Sequence, residues 1–208
     1  MANNFVNAIK TNITASAIAP TTVYSPSSIK AICIELDVAN KSSAGQTVTI
    51  EIEDISEIGG SVSSAFASGS DLAAGTFTTS NHGLVVGDRL LFTNTTDPTF
   101  TGTVPSGDTT LSESKVYFVQ AVPNANTFRI AETRGATSAL LFSNAGAAVT
   151  YKKKARATIV SQAPVPVGGA LKVISGQKLV LDNGDLLLAY ASSASELDVV
   201  ASVLADVS

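Results

Sequence analysis

The stretch Ile32-Cys33-Ile34-Glu35-Leu36-Asp37-Val38 alternates apolar and polar side chains in the manner of a half-buried β-strand. Ile32, Ile34, Leu36 and Val38 fall on one side of an extended chain, while Glu35 and Asp37 fall on the other, with Cys33 in their outward register. The polar run at 40–45 reads as a turn. Val48, Ile50 and Ile52 then resume the alternation, with Thr47, Thr49, Glu51 and Glu53 outward. Two such strands joined by a short loop predict a hairpin whose single apolar face needs a second sheet to cover it.

The same texture recurs towards the C-terminus. Residues 157–160 read as strand, Pro164-Val165-Pro166-Val167-Gly168-Gly169 as an extended connection, and Leu171, Val173 and residues 178–181 as further strand. Asp182-Asn183-Gly184-Asp185 carries the Asn-Gly pair that tight hairpins favour, and residues 186–190 answer it as the returning strand. Leu197, Val199, Ala201 and Val203 give a last alternating strand. Helical periodicity is almost nowhere to be found.

Between these halves the charged-outward alternation fades. Asn81-His82-Gly83-Leu84-Val85-Val86-Gly87-Asp88 precedes a strand at 89–93, and Lys115-Val116-Tyr117-Phe118-Val119 leads through a turn at 123–126 to a strand at 127–130. Five of the eight phenylalanines (Phe77, Phe92, Phe100, Phe118 and Phe128) lie in this stretch, which points to a core of its own. The expected core is Phe77, Leu84, Leu90, Phe92, Tyr117, Val119, Phe128 and Ile130. Gly59-Gly60 and Gly146 lie near its ends. The predicted architecture is therefore all-β. Residues 1–60 and 150–208 form an antiparallel, jelly-roll-like β-sandwich, and 61–149 form a small β-barrel inserted in it. Residues 1–28 carry scattered apolar side chains (Phe5, Val6, Ile9, Ile13, Ile18) without a clean period. They read as an extended arm, ordered by a neighbouring chain or by the sandwich's own edge.

Composition narrows the functional classes. Only 14% of the 208 residues are charged, against 45% hydrophobic, which suits a surface largely covered by neighbours. A net charge of −4 argues against general nucleic-acid binding. The single cysteine, Cys33, excludes an intramolecular disulfide and a cysteine-based zinc site. The absence of Trp weakens a carbohydrate-binding reading. The N-terminus Met1-Ala2-Asn3-Asn4-Phe5 has no basic or apolar leader character, so synthesis in a cytoplasm is expected. No apolar run approaches the roughly 18 residues of a membrane span.

Residues with chemical potential all have plainer readings. His82, the only histidine, has Ser and Asp to choose from for a triad but sits in an Asn-His-Gly turn. Asp182, Asn183 and Asp185 offer oxygen ligands but lack the repeated acidic spacing of a calcium loop, and a hairpin turn accounts for them. Glu51, Glu53 and Asp54 read as solvated charge on a strand's outer face. Lys152-Lys153-Lys154 with Arg156 is the one basic run, suited to a strand edge or an acidic protein partner more than to nucleic acid. Asn12-Ile13-Thr14, Asn40-Lys41-Ser42 and Asn94-Thr95-Thr96 are chance sequon matches. No pair of carboxylates stands out as a glycosidase pair. The expectation is no catalytic residue, no metal and no cofactor.

Phe5-Val6-Asn7-Ala8-Ile9, Thr22-Val23-Tyr24, the strand at 30–40, Ala163-Pro164-Val165-Pro166-Val167-Gly168-Gly169-Ala170-Leu171 and Leu197-Asp198-Val199-Val200-Ala201-Ser202-Val203-Leu204 resemble small bacteriophage virion proteins over residues 1–58 and 155–208. In many such proteins a short turn joins the two halves, so the insert is a departure. Asn81-His82-Gly83-Leu84, Val86-Gly87-Asp88 and Asn124-Ala125-Asn126-Thr127-Phe128 resemble a module recurring in phage particle and tail proteins. The resemblance implies a non-enzymatic structural component of the virion, assembled in the host cytoplasm. Its expected partners are capsid, neck or tail proteins and further copies of itself. Head decoration (cement) or the head–tail neck is the first reading. A tail, baseplate or fibre-attachment protein is the alternative within the class, and a carbohydrate-binding adhesion module is the alternative outside it.

Overall fold

The computed structural model describes residues 4–27, 29–62, 69–94, 96–102, 104–113, 115–146 and 149–207; the side chains of 55–62, 69 and 94 are outside this description. Part of the expected domain boundary (63–68), the side chains of Gly59-Gly60's surroundings, the first three residues of the expected arm and Thr95 of one sequon match thus lie outside the described residues. The chain begins with β1 (Asn4–Lys10), β2 (Thr21–Tyr24), β3 (Lys30–Asn40) and β4 (Gln46–Val62). It continues through α1 (Gly69–Ala74), β5 (Thr76–Thr78), β6 (Arg89–Asn94), β7 (Thr99–Phe100), β8 (Val116–Asn124), β9 (Thr127–Ala131) and β10 (Phe142–Asn144). It ends with β11 (Val149–Val165), β12 (Ala170–Ile174), β13 (Leu179–Leu181), β14 (Leu186–Ala191) and β15 (Leu197–Val207). Two compact units result, Met1–Ser56 with Ala155–Ser208, and Glu57–Lys154.

The first unit is an all-β sandwich with antiparallel pairing. One sheet has the order β1-β15-β3-β12, with β13 also on β3; the other aligns β2, β14, β4 and β11. Val23, Cys33, Leu36, Val38, Val48, Ile50, Leu187, Val199 and Val203 belong to the core of this unit. The expected hairpins are sheet-to-sheet arches instead. β3 lies in the first sheet and β4 in the second, and the same holds for β13 and β14. Each strand buries one face, so two consecutive strands cover each other by sitting on opposite sheets, and the tight turn between them serves as a corner. At the first corner the buried Asn40 donates through Nδ2 to the carbonyls of Ala44 (2.8 Å) and Val165 (3.0 Å), while its Oδ1 accepts the Ser42 N–H. At the second, the Asp185 carboxylate accepts the Asp182 N–H at 2.8 Å, and Gly184 takes φ 90°.

The phase of β3 also differs from the sequence reading. β15 pairs Ser202 with Glu35 and then Val203 with Cys33, so Ile34 has no counterpart and forms a bulge. One extra residue exchanges the two faces. Ala31 and Cys33 are therefore buried before the bulge, and Leu36, Val38 and Asn40 after it, while Ile32 and Ile34 turn outward and remain half-buried. Three consecutive apolar residues, Ile-Cys-Ile, left this shift invisible in the sequence. On β4, Thr49 and Glu53 are buried as well, against the expectation of outward solvation. The Gln162 N–H reaches Thr49 Oγ1 at 3.1 Å.

The N-terminal segment lies outside the alternating strands only in appearance. β1 pairs with β15 over seven consecutive positions, from Asn4 with Ala205 to Lys10 with Val199, without a register shift. Ile13 is fully buried, held by its N–H to the Leu197 carbonyl (3.1 Å) and by the Ser195 N–H on its own carbonyl (3.0 Å). It plugs the sandwich where the chain passes from the first sheet to the second.

In the second unit, β11, β6, β8, β9 and β5 are successive neighbours, and β7 pairs with β10. Among the described residues no pairing joins β5 to β11; Phe100 and Phe142, from β7 and β10, complete the core. All eight residues expected in this core are buried. Phe77 is central, stacked on Phe128 (ring centroids 5.3 Å) and edge-on to Phe142 (5.4 Å). Phe118 is not in the core. Tyr117 and Val119 face inward, so the intervening side chain points out, where the Arg134 guanidinium sits 5.1 Å from its ring. Gly75 is required where it stands: it has φ 65°, and a Cβ there would lie 1.9 Å from the Leu140 carbonyl oxygen.

Because the sandwich core, among the described residues, draws on none between 57 and 154, replacing that segment with a short Asn-Gly turn should leave a folded protein. Soluble expression with one cooperative thermal transition is the expected outcome. An insoluble or non-cooperative product would mean that the sandwich needs the second unit.

Candidate assembly interface

The structure gives most of the chemically suggestive residues a structural partner. His82 accepts the Leu84 N–H at Nδ1 (3.0 Å), which leaves the proton on Nε2 to be donated to the Thr127 carbonyl (3.2 Å). Its ring lies edge-on to Phe128 at 5.3 Å. Both nitrogens are thus engaged in holding a loop, and neither is placed to take a proton from a nucleophile. The Asn124-Ala125-Asn126 turn meets this loop directly: Asn126 Oδ1 accepts the Asn81 N–H (3.0 Å), and the Ala125 carbonyl accepts the His82 N–H (3.2 Å). Two of the three motifs singled out in the insert are therefore halves of one clamp. The third is a turn whose Asp88 carboxylate is buried, accepts the Val85 N–H (2.8 Å) and pairs with Lys153 Nζ (2.8 Å).

The basic run is not an open cationic patch. Lys153 is committed to Asp88, Arg156 pairs with Glu51 and donates to the Ala17 carbonyl (3.2 Å), and Lys154 is buried. Glu51 and Glu53 are correspondingly not solvated charge: one is ion-paired and the other buried. Asp182 pairs with Lys30 at 3.0 Å, and Asp185 is used within the turn. Among the described residues no group of three His, Cys, Asp or Glu side chains could hold a metal ion, and no helix is long and apolar enough to cross a membrane. Cys33 is buried, its thiol pushed up to about 11 by burial and held back slightly by its contact with the Glu35 carbonyl (3.4 Å). It is therefore a packing residue at neutral pH.

A second charged group was missed in the sequence. Lys115 Nζ bridges Asp108 Oδ2 (2.7 Å) and Glu132 Oε1 (2.9 Å), and the Ser106 N–H donates to Glu132 Oε2 (2.9 Å). The hydrogen bond from Lys115 holds the Asp108 carboxyl below its ordinary value. Burial pushes Glu132 upward, but the bonds from Ser106 and Lys115 outweigh it and the net shift is downward. One lysine thus holds both carboxylates in place, and the cluster ties the 106–108 turn to the residue after β9.

What remains open is the outer face of the first sheet. Cross-strand pairing sets Phe5 beside Leu204, Leu204 beside Ile32, and Ile32 beside Val180. These four outward positions make one apolar row across the sheet, with Phe5 75% and Val180 52% exposed. Near the other end of β1, Ile9 (60% exposed) is paired with Val200 (39%). Between the two apolar groups lie Asn7, Ser202 and Glu35 in register, then Asp37 and Lys172, which is ion-paired to Glu35. An apolar surface with a polar centre and no covering segment of its own chain among the described residues is a docking surface in character. Phe5 and Ile9 were visible in the sequence as unattached apolar residues. Ile32, Val180 and Leu204 join them only through the bulge and the strand order. No protein family, curated protein or solved structure matches this chain.

Two outcomes follow for the second unit. His82→Ala removes two hydrogen bonds and an edge-on ring contact, and should cost about 1–3 kcal/mol of stability in urea unfolding. For the acidic pair, a folded value held below the unfolded one gives stability that is present above the unfolded carboxylate range, about pH 4. That stability should fade as pH falls through the depressed values. Lys115→Met should flatten this acid dependence, followed by tyrosine near-ultraviolet dichroism; an unchanged acid profile would show that the cluster does not titrate as described.

Proposed function

We propose that this chain is a non-enzymatic structural component of a bacteriophage virion that works by protein–protein assembly, as a head-decoration or head–tail neck protein. The observation that carries this reading is the bare apolar row Phe5–Leu204–Ile32–Val180 on the outer face of the first sheet. A face of this kind on a protein whose polar motifs are all committed to its own loops is suited to holding neighbours. The resemblance of residues 1–58 and 155–208 to small virion proteins supplies the setting. Phe5 is the one strongly exposed aromatic side chain among the described residues, which offer no aromatic platform for a sugar.

Purified particles of the phage encoding this chain should contain it as a stoichiometric component by mass spectrometry and immunogold labelling. Val180→Glu and Leu204→Glu should leave the thermal transition of the isolated protein within a few degrees of wild type. Incorporation should fall at least about tenfold in each, since burying one such side chain contributes roughly 1.5–3 kcal/mol. Absence of the wild-type chain from particles would overturn the reading.

A further inference from the structure

We infer that β1 is a self-pairing edge: two copies of this chain join antiparallel along Asn4–Lys10 about a two-fold axis at Asn7, extending the first sheet from one copy into the next. The inference deepens the assembly reading and rests on it for its setting, although its geometry stands on β1 alone.

β1 ends the strand order of its sheet, so one of its edges has no strand beside it among the described residues. Its seven unshifted pairs with β15 make it regular. Asn4-Phe5-Val6-Asn7-Ala8-Ile9-Lys10 contains none of the devices that blunt an edge, neither proline nor bulge nor a central charge. A regular edge whose single charge lies at its end is a template for another strand.

The occupant is specified by register. Residues directly opposite in an antiparallel ladder share a face, so an outward residue of β1 must meet an outward residue of its copy. With the axis at Asn7, all seven residues are paired. Phe5 meets Ile9 of the second copy, Val6 meets its Ala8, and Asn7 meets its Asn7. A slip of two residues in either direction drops pairs and sets Phe5 or Ile9 against Asn7. In the symmetric register the outer face carries Leu204, Phe5, then Ile9 and Val200 of the second copy, an unbroken apolar strip that the axis repeats once.

Charge is compatible with this arrangement. Lys10 is the only ionisable side chain on the strand, and it falls opposite Asn4. The two Lys10 residues lie six positions apart along the ladder, about 20 Å, beyond the screening length of roughly 8–10 Å. Two copies each of Phe5 and Ile9 expose on the order of 500 Å². That places the contact below the size of stable interfaces, so the pairing is weak and concentration-dependent in solution.

The test uses cysteine variants of the full chain. Cα atoms facing across a ladder are about 4.5–5.5 Å apart, within disulfide range, and the buried Cys33 stays silent. Under mild oxidation, Asn7→Cys should cross-link to itself. Phe5→Cys mixed with Ile9→Cys should cross-link at least about tenfold more than either alone, and Asn4→Cys alone should not cross-link. Wild type should show a monomer–dimer equilibrium by sedimentation at tens to hundreds of micromolar, weakened at least about tenfold by Ile9→Glu. Uniform cross-linking at every position, or a strict monomer at about 500 µM, overturns the pairing. A monomer that is nevertheless found in particles sinks this inference and leaves the virion reading standing; a β1-paired dimer absent from particles does the reverse.

Discussion

The pairing of β15 with both β1 and β3 is the constraint on which the sandwich depends. The last strand of the chain occupies an interior place in its sheet, with the first strand on one side and β3 on the other. Its inward residues Leu197, Val199, Ala201 and Val203 are fully buried, so both neighbours pack through it. The sheet therefore closes only when residues 4–10, 30–40 and 197–207 are together, a set of contacts of high sequence separation and thus of slow formation. The chain that intervenes between β4 and β11 takes no part in this closure. An insertion there lengthens a connection without interrupting the first sheet, and the entropy of closing a longer loop grows only slowly with its length.

Given that closure, most connections of the sandwich cross from one sheet to the other, so that sequence neighbours face each other across the core. This is why alternation was readable from the sequence and pairing was not. Val48, Ile50, Val199 and Val203 declare their inward face by contrast with polar neighbours. Nothing local in Asp182-Asn183-Gly184-Asp185 says whether the strand that follows returns to the same sheet or crosses, since the same φ values suit both. The bulge at Ile34 was hidden for the opposite reason: with apolar residues on both faces, no contrast marks the phase. The N-terminal arm had too little polarity contrast to read as a strand. Its role became clear only from its partner, nearly two hundred residues away.

In the second unit the aromatic core was legible because phenylalanine is concentrated there and little else could bury so much area. Phe118 shows the limit of that argument, as strand periodicity overrules composition and turns it outward beneath Arg134. The polar motifs were legible as motifs but not as a clamp. Asn81 and His82 meet Ala125, Asn126 and Thr127 across more than forty residues, and the meeting explains why an Asn-His-Gly turn needs its histidine: the ring spans from its own loop to the next strand while resting on Phe128.

The low charge content acquires a physical meaning from where the charges went. Lys30, Lys41, Lys115, Lys153, Lys172 and Arg156, six of the thirteen cations, are each within ion-pair distance of a carboxylate of the same chain. Paired charges project little field, so two copies approaching each other meet weak repulsion despite carrying the same net sign. The two sheets also differ in what they leave open. On the second, outward positions such as Thr49, Glu53 and Leu188 are buried. On the first, Phe5, Ile9, Val180 and Val200 stand in the open, four of the six large apolar side chains that the sandwich exposes among the described residues. The charges on that face are drawn inward to one another, Lys172 to Glu35 at the middle of the sheet, and the apolar groups occupy the corners where a neighbour's strand or face would meet them.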